Sequence, residues 1–424
     1  MQKKAAPGDD DHLWDVAVIG GGPAGMMAAG AAAEKGARVI LLEKNKSLGK
    51  KLLITGGGRC NVTNAEFDDK KLLAKFKDSG KFLFSPFSQW SVQESLEFFH
   101  ARNMQTKEEA EHRVFPLSNS AQSVWDTLVQ YLKETSVTVR PNASVVKLYA
   151  SEGIITAAEL RGGSRIRAKT FILATGGTSH PETGSTGDGY AWLRELGHSV
   201  SEASAALVPV ALKEPATGAT GVSIANAKVT FYQNEVKQAQ KSGKILFTHV
   251  GLSGPCILNM SRDIGELLKY GSVVIEIDLL PDMGYEKVNA ALQIAFKENS
   301  NKKIRNALKG LLPPALVPHV LHVAGIDPET SCNSVTRDAR VRLMKTLKHL
   351  RFEAKNLLGM DKAVITAGGV ALTEVDWKTM RSLKYSNLFL VGDILNIDRP
   401  SGGYSLQLCW TTGHVAGFAA ALQR

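Results

Sequence analysis

Cysteine is scarce in this 424-residue chain: Cys60, Cys256, Cys332 and Cys409 lie far apart, and no C-x-x-C joins any two of them. That spacing excludes a disulfide framework and a cysteine zinc site, and it fits a reducing, cytoplasmic location. Long hydrophobic runs are also missing. Every apolar stretch is far shorter than the roughly 18 residues that suggest a membrane span, so no membrane partner is expected. Residues 1 to 12, MQKKAAPGDDDH, carry charge and Pro-Gly but no apolar core, which reads as a frayed tail and not a signal peptide. The chain shows no convincing catalytic triad, no paired carboxylates and no metal-ligand cluster, so metal chemistry is not expected. What remains is ordinary for a folded protein, with 44% hydrophobic and 22% charged residues. The length suggests two or three domains.

The chain is organised around Asp15 to Glu43, DVAVIGGGPAGMMAAGAAAEKGARVILLE. A short β-branched run, Val16 to Ile19, leads into Gly20, Gly22 and Gly25 in G-x-G-x-x-G spacing. A helix of small residues follows, and then a second apolar run, Val39 to Leu42, which ends on Glu43. The first glycine makes the tight turn, the second lets backbone approach a pyrophosphate, and the third lets the helix press on the sheet. The helix N-terminus, around Ala24, offers N–H groups to phosphate. Glu43 is placed for the adenosine ribose hydroxyls and, being acidic, favours FAD or NAD over NADP.

Next comes Thr55-Gly56-Gly57-Gly58-Arg59-Cys60-Asn61, whose three glycines specify a loop. There Arg59 is expected to meet the pyrophosphate or a substrate carboxylate, or else to anchor the loop, and Asn61 to bond a flavin or the loop itself. Cys60 lacks the second cysteine of a disulfide-reductase pair and reads as packing. Residues 66 to 135 read as partly helical, with Phe82, Phe84, Phe87, Trp90, Phe98 and Phe99 as core aromatics. Strands are expected within 136–146, where Val146 is a candidate cofactor contact, over Ile154 to Leu160, and from Arg165 into Ala174-Thr175-Gly176. Val200 to Lys355 reads as an insertion, β first and helical second, whose joint with the first domain would form a cleft. Eleven Lys or Arg face four Asp or Glu in residues 301 to 355, so seven of the ten excess positive charges lie there. The run from Arg337 puts Leu343, Leu347 and Leu350 on one helical face and reads as an amphipathic helix with a solvated basic side. The alternative is an anion or nucleic-acid patch. Near the C-terminus, Asn387 to Val391 reads as a buried strand ending in Gly392-Asp393. A glycine turn and a small-residue helix follow. This second element suits a flavin, with an acid for the ribitol and a helix N-terminus toward N1 and O2.

The assembled motifs are GGGPAG at 20–25, KLLITGGGRCNVTN at 51–64, ATGG with TGSTGDGY at 174–190, FTHVGLSGP at 247–255, TAGGV at 366–370 and VGDILNIDRPSGGYSLQ at 391–407. The chain that carries them resembles the BaiN-like or aminoacetone-oxidase-like FAD-dependent family, a branch of the glutathione-reductase-like flavoproteins. The resemblance implies an α/β, Rossmann-like FAD-binding domain of glutathione-reductase type with an inserted β-rich domain and a small helical domain. The expected boundaries are 1–200 and 358–424 for the FAD domain, 201–285 for the β-rich part and 286–357 for the helical part. It also implies FAD held through Gly20, Gly22, Ala24, Gly25, Glu43, Lys44, Arg59, Ala174, Thr175, Gly176, Asp393, Gly403 and Tyr404. Two departures stand out. Asp393 replaces the glutamate of many relatives, and His180 stands where a tyrosine is expected.

The expected reaction is two-electron hydride transfer between flavin N5 and either a small organic substrate, an amine or an enoyl or keto compound, or NAD(P)H as a transient donor. No second G-x-G-x-x-G provides a separate nicotinamide domain, which keeps a direct oxidase in play. His180 and His249 are the only candidate proton carriers, and both read first as structural histidines. The rival reading is a flavoprotein that acts on tRNA through Arg337, Arg340, Lys345 and Lys348. A small molecule is the expected partner and nucleic acid is not. The residues leave the oligomeric state open.

Overall fold

The structure is a computed structural model that describes residues 12–359 and 365–423; the sequence reading of residues 1–11 as a frayed tail lies outside them. The chain divides into two compact units, residues 1–205 with 364–424, and residues 206–363.

The first unit is built on a nine-stranded sheet. Strand β1 (Leu13–Ile19) lies parallel between β2 (Val39–Leu42) and the strand Arg165–Leu173, with Ala17 opposite Ile40 on one side and Phe171 on the other. These strands are apolar on both faces, as a doubly covered parallel sheet requires. The late strand Leu388–Leu390 joins the same sheet, parallel to Arg165–Leu173, with Phe389 opposite Ile172. Both ends of the chain therefore build one sheet.

Helix α1 (Pro23–Glu34) starts with Pro23 at its first position after the Gly22 N-cap, where the missing N–H costs nothing. Ala24 to Ala32 are all buried, and a helix covered on every side can use small residues to admit close neighbours. The C-terminal helix Tyr404–Leu422 does approach closely. A Cβ on Gly413 would stand 2.5 Å from the Ala24 carbonyl oxygen, and one on Gly417 would stand 2.2 Å from that of Ala28. Most of the expected core aromatics are inside, Phe87, Phe98 and Phe99 among them, whereas Phe84 is 64% exposed. Its position on the helix Gly80–Gln89 turns it away from Leu83 and Phe87.

The second unit contains a closed six-stranded barrel, in the order Val210–Leu212, Gly251–Ser253, Val236–Phe247, Ser223–Gln233, Val273–Asp278 and Leu350–Leu357. The helices Tyr285–Glu298 and Arg337–Lys348 interrupt it before its last strand. Leu350 accordingly lies on the closing strand and not on the helix with Leu343 and Leu347, although all three are buried in one core with Val288, Leu292, Phe231 and Ile275. That shared core makes the barrel and its helices one packed body.

His414, on the C-terminal helix, stacks on Trp90 with ring centroids 3.8 Å apart, and its buried Nδ1 has no hydrogen-bond partner. Burial, helped by Lys35, pushes its pKa down to about 4. The unfolded chain takes up this proton near pH 6.5 and the folded chain near 4, so the stabilisation is whole above pH 6.5 and fades as the pH falls through that window. The loss is on the order of 2 to 3 kcal/mol. Replacing His414 by Phe keeps the stacking, so the fall in denaturant-measured stability between pH 7.5 and pH 5 should be smaller in the variant than in the parent.

Candidate functional site

Five glycine-bearing segments of the first unit converge, and steric contacts define how. A Cβ at Gly20, whose φ is +109°, would meet the Ala174 carbonyl oxygen at 2.4 Å, and one at Gly25 would meet the Gly20 carbonyl oxygen at 1.9 Å. These two glycines are demanded by packing between the first turn and the strand end at 174. Gly22 differs, because a Cβ there meets nothing within 4 Å. It faces open space at the N-terminus of α1. Gly392 lies against Ala24, with its added Cβ 3.0 Å from the Ala24 methyl carbon, and its N–H donates to Thr412 Oγ1 at 3.1 Å. Gly403, the N-cap of the C-terminal helix, would drive a Cβ to 2.3 Å from the Thr63 carbonyl carbon, so this turn lies against the segment that follows Arg59.

The structure places the expected site residues as follows. Glu43 is buried at the end of β2; its Oε2 accepts the Gly21 N–H at 2.8 Å, and its Oε1 accepts the Asn45 N–H at 2.7 Å. Its carbonyl accepts the Ala143 N–H at 2.8 Å, which brings the run toward Val146 alongside. Val146 is 41% exposed, and its carbonyl accepts from Trp192 Nε1 at 3.1 Å. Lys44 Nζ donates to Thr186 Oγ1 and pairs with Asp188 at 2.8 Å. Thr175 Oγ1 and Asn61 Oδ1 are buried without a hydrogen-bond partner, and Gly176 adopts φ +72° beside Thr175. Tyr404 is buried edge-on against Phe76, with centroids 6.0 Å apart. Its backbone opens the C-terminal helix, while its ring belongs to the core.

Arg59 takes the anchoring option. Its guanidinium pairs with Glu109, donates to Asn119 Oδ1 at 2.7 Å, and lies 4.1 Å from the centre of the Phe115 ring. The preceding glycines have φ of +57°, +67° and +83°, and this left-handed path turns Arg59 toward the hairpin at 106–116. Cys60 is wholly buried, and burial pushes its thiol up to about 12. It packs, as expected. His180 holds Glu182 through Nδ1 at 2.8 Å. His249 lies exposed in the turn between two barrel strands of the second unit. Of the basic candidates on the helix Arg337–Lys348, Arg337 and Lys345 are exposed. Lys348 is buried, paired with Asp278 at 2.6 Å and donating to the carbonyls of Leu280 and Met283, so it is a structural residue and not part of a solvent-facing basic patch.

Sequence reasoning missed the group around Asp393. Its carboxylate pairs with Arg399, which is 2% exposed, and with Lys51 Nζ at 3.3 Å. Lys51 also donates to Ser179 Oγ at 3.2 Å, and Arg399 Nε donates to Ser405 Oγ at 2.9 Å at the start of the C-terminal helix. Burial alone would raise the Asp393 carboxyl, but the Arg399 and Lys51 cations outweigh it and hold the pKa below the usual carboxylate value. Two cations on one carboxylate leave a net positive charge where segments 51–58, 174–179, 391–393 and 401–405 meet. The available signal was that Lys51 and Arg399 both lie inside the quoted motifs. Gln407 was missed as well. It is wholly buried, accepting from Thr63 Oγ1 at 2.6 Å and donating to Ser91 O, Ser95 Oγ and Thr411 Oγ1 at 2.9–3.0 Å. It ties the loop after Arg59 to the last helix.

Residues 14–419 match the family model of the HI0933-like protein Rossmann domain. The chain belongs to the HI0933-like family. Its members are FAD-dependent oxidoreductases with a nucleotide-binding Rossmann fold, and so is this chain. Among relatives, it is 32% identical over 411 residues to the 3-dehydro-bile acid delta(4,6)-reductase of Clostridium scindens, covering 96% of this chain and 98% of that one. It is 29% identical over 403 residues to the ribosomal RNA dihydrouridine synthase of Escherichia coli, covering 94% and 96%. Among solved structures, the fold resembles a 3-ketosteroid delta1-dehydrogenase from Sterolibacterium denitrificans with TM-score 0.56, 13% identity and coverage of 97% and 100%. It also resembles a flavocytochrome c3 fumarate reductase with TM-score 0.55, 18% identity and coverage of 97% and 79%. In the HI0933-like chain described here, the Rossmann unit and the inserted barrel with its helices account for the likeness in fold.

Two glycines three residues apart should respond oppositely to the same change. Gly25→Ala forces a Cβ into the Gly20 carbonyl and should lower stability by about 2 kcal/mol or more, whereas Gly22→Ala should leave it within about 0.5 kcal/mol. Urea denaturation of both variants reads the difference. Asp393→Asn leaves Arg399 buried, and Lys51 half-buried, without their carboxylate, and a loss of about 3 kcal/mol is expected in the same assay.

Proposed function

We propose that this protein reduces a carbon–carbon double bond conjugated to a carbonyl, with FAD as its two-electron carrier and NAD(P)H as a transient donor. The observation that supports this reading is what the two relatives' names have in common. One describes reduction of double bonds in a 3-oxo bile acid, the other saturation of the uridine ring. In both, the double bond is activated by a carbonyl.

The residues present fit FAD. Gly22 leaves a space that no side chain fills, at a helix N-terminus suited to phosphate, and Glu43 at the end of β2 stands where the adenosine ribose is bound in such folds. In this reading Gly20, Gly22, Ala24 and Gly25 take the pyrophosphate. Glu43, Lys44 and Val146 take the adenosine end, and Asn61, Ala174, Thr175, Gly176, Asp393, Gly403 and Tyr404 line the path toward the reactive ring. Of the atoms buried without partners, Thr175 Oγ1 can donate to it or accept from it, and Asn61 Oδ1 can accept from one of its N–H groups. Arg59 is left out because Glu109 and Asn119 hold it. Lys51 and Arg399 act through Asp393, keeping it ionised and the local field positive.

FAD, when bound, would supply the two-electron hydride chemistry, with NAD(P)H as the donor and the β-carbon of the substrate as the acceptor. A proton must reach the α-carbon to complete the reduction. His180 is the candidate: Glu182 accepts from Nδ1–H and orients the ring, so that Nε2 can deliver a proton from the doubly protonated imidazolium and is left as the unprotonated nitrogen afterwards. The substrate carbonyl takes up negative charge in the transition state, and the positive field around Asp393 opposes its cost.

The test is anaerobic mixing of the purified holoprotein with NADH and NADPH, then with a cyclic enone, with uridine and with a panel of amines, following the visible flavin band. Bleaching by a nicotinamide and recovery on adding the enone or uridine is the expected outcome; bleaching by an amine alone would replace the reductase with an oxidase. Gly22→Ala should lower FAD affinity tenfold or more while the apoprotein stays folded. His180→Gln should lower the recovery rate at least tenfold without changing flavin content. An unchanged rate returns His180 to a loop-holding role.

A further inference from the structure

Three consecutive residues beyond the Arg59 loop each bond the opening of the C-terminal helix, Tyr404–Leu422. The Val62 carbonyl accepts from Trp410 Nε1 at 2.9 Å, and Thr63 Oγ1 donates to Gln407 Oε1 at 2.6 Å. Asn64 Nδ2 donates to the Gly402 carbonyl at 3.1 Å, two residues ahead of the helix. The helix is held redundantly at Gln407, which also meets Ser91, Ser95 and Thr411. At its very start it is fastened by Asn64. That side chain is buried, and Nδ2 also donates to the Glu111 carbonyl at 3.0 Å. Glu111 and His112 have φ of +61° and +56°, a left-handed pair without glycine that persists only where its surroundings hold it. One buried amide therefore bridges two backbone turns.

What Asn64 holds is a helix start that no side chain caps. Ser405 could have served, but its Oγ accepts from Arg399 Nε at 2.9 Å, and Arg399 pairs with Asp393. The first-turn N–H groups, together with the helix dipole, put positive potential at this point. The unpartnered buried oxygen of Asn61 stands in the same segment, one residue before Val62.

We propose that Asn64 is a positioning residue that sets the reduction potential of bound FAD by holding this helix start against the flavin. The inference rests on the reading of Gly403 and Tyr404 as lining the path to the reactive ring. A hydride from NAD(P)H brings two electrons and one proton to N5 and leaves negative charge at N1 and O2. N–H groups aimed at that edge favour the reduced form over the oxidised one, and the effect weakens with distance. Without the Asn64 bond the Gly402–Gly403 turn relaxes, and the reduced form loses stabilisation. Asn64 acts through the backbone and touches neither flavin nor substrate.

The test is the midpoint potential of the holoprotein's FAD, read anaerobically against a reference dye, in the parent and in Asn64→Ala, Asn64→Ser and Thr63→Val. Asn64→Ala should move the equilibrium about tenfold toward oxidised flavin, which is about 30 mV for a two-electron couple. FAD should stay bound, because the glycine fingerprint around Gly22 is untouched. Asn64→Ser keeps one donor and should shift the equilibrium less, in the same direction; it carries the test if the alanine variant does not fold. Thr63→Val loses a bond to the same helix about one turn further on, and should lower the thermal midpoint while the potential stays at the parent's value. A potential unchanged in the Asn64 variants, or shifted equally by Thr63→Val, overturns the inference, since a merely structural role moves the thermal midpoint alone. The substrate reading fails separately. A parent that turns over neither enone nor uridine, with the Asn64 shift present, loses the reductase assignment and keeps Asn64 in its role; turnover by the parent with no shift does the reverse.

Discussion

The first unit depends on the close contact between its opening helix and its closing one. Gly413 and Gly417 set the C-terminal helix against the backbone carbonyls of Ala24 and Ala28, and larger residues at either position would push the helices apart. The approach fixes where Gly403 sits, and with it the turn pressed on Thr63. It also fixes Gly392 against Ala24, which places the Asp393 group beside the glycine fingerprint. A substitution in this seam would reach the site through several segments together, because packed interiors transmit displacement and do not absorb it.

Much of this first unit could be read from the chain. The strand, turn, helix and strand around Gly20 to Glu43 carry their own geometry, since each glycine answers to a steric demand and the apolar runs have no solvent face. The return of Leu388–Leu390 to the same sheet was legible for a related reason, a short run of large apolar residues ending in Gly-Asp. The barrel was harder. Leu350–Leu357 closes it only after about seventy residues of mostly helical chain, and a pairing across that separation leaves little local signal. The basic helix was misread at its end because Leu350 keeps the helical spacing of Leu343 and Leu347 while belonging to the strand beyond.

The side chains around the site were less legible than its backbone. Arg59 reads from the sequence first as a ligand and only second as an anchor, yet the structure, with left-handed glycines before it, gives it the anchoring place. Lys348 counts as one more positive charge in a tally, yet it is buried on Asp278. Arg399, Lys51 and Gln407 needed partners from distant stretches before their importance could show. Composition and spacing describe neighbours along the chain, while ion pairs and buried amides are settled between segments hundreds of residues apart.

All four cysteines are buried, and burial raises the thiols of Cys60, Cys332 and Cys409 above their ordinary value. Flavin chemistry in air yields hydrogen peroxide, and peroxide attacks the ionised, accessible form of sulfur. Sulfurs that are kept protonated and buried in this way are poor targets for such an oxidant.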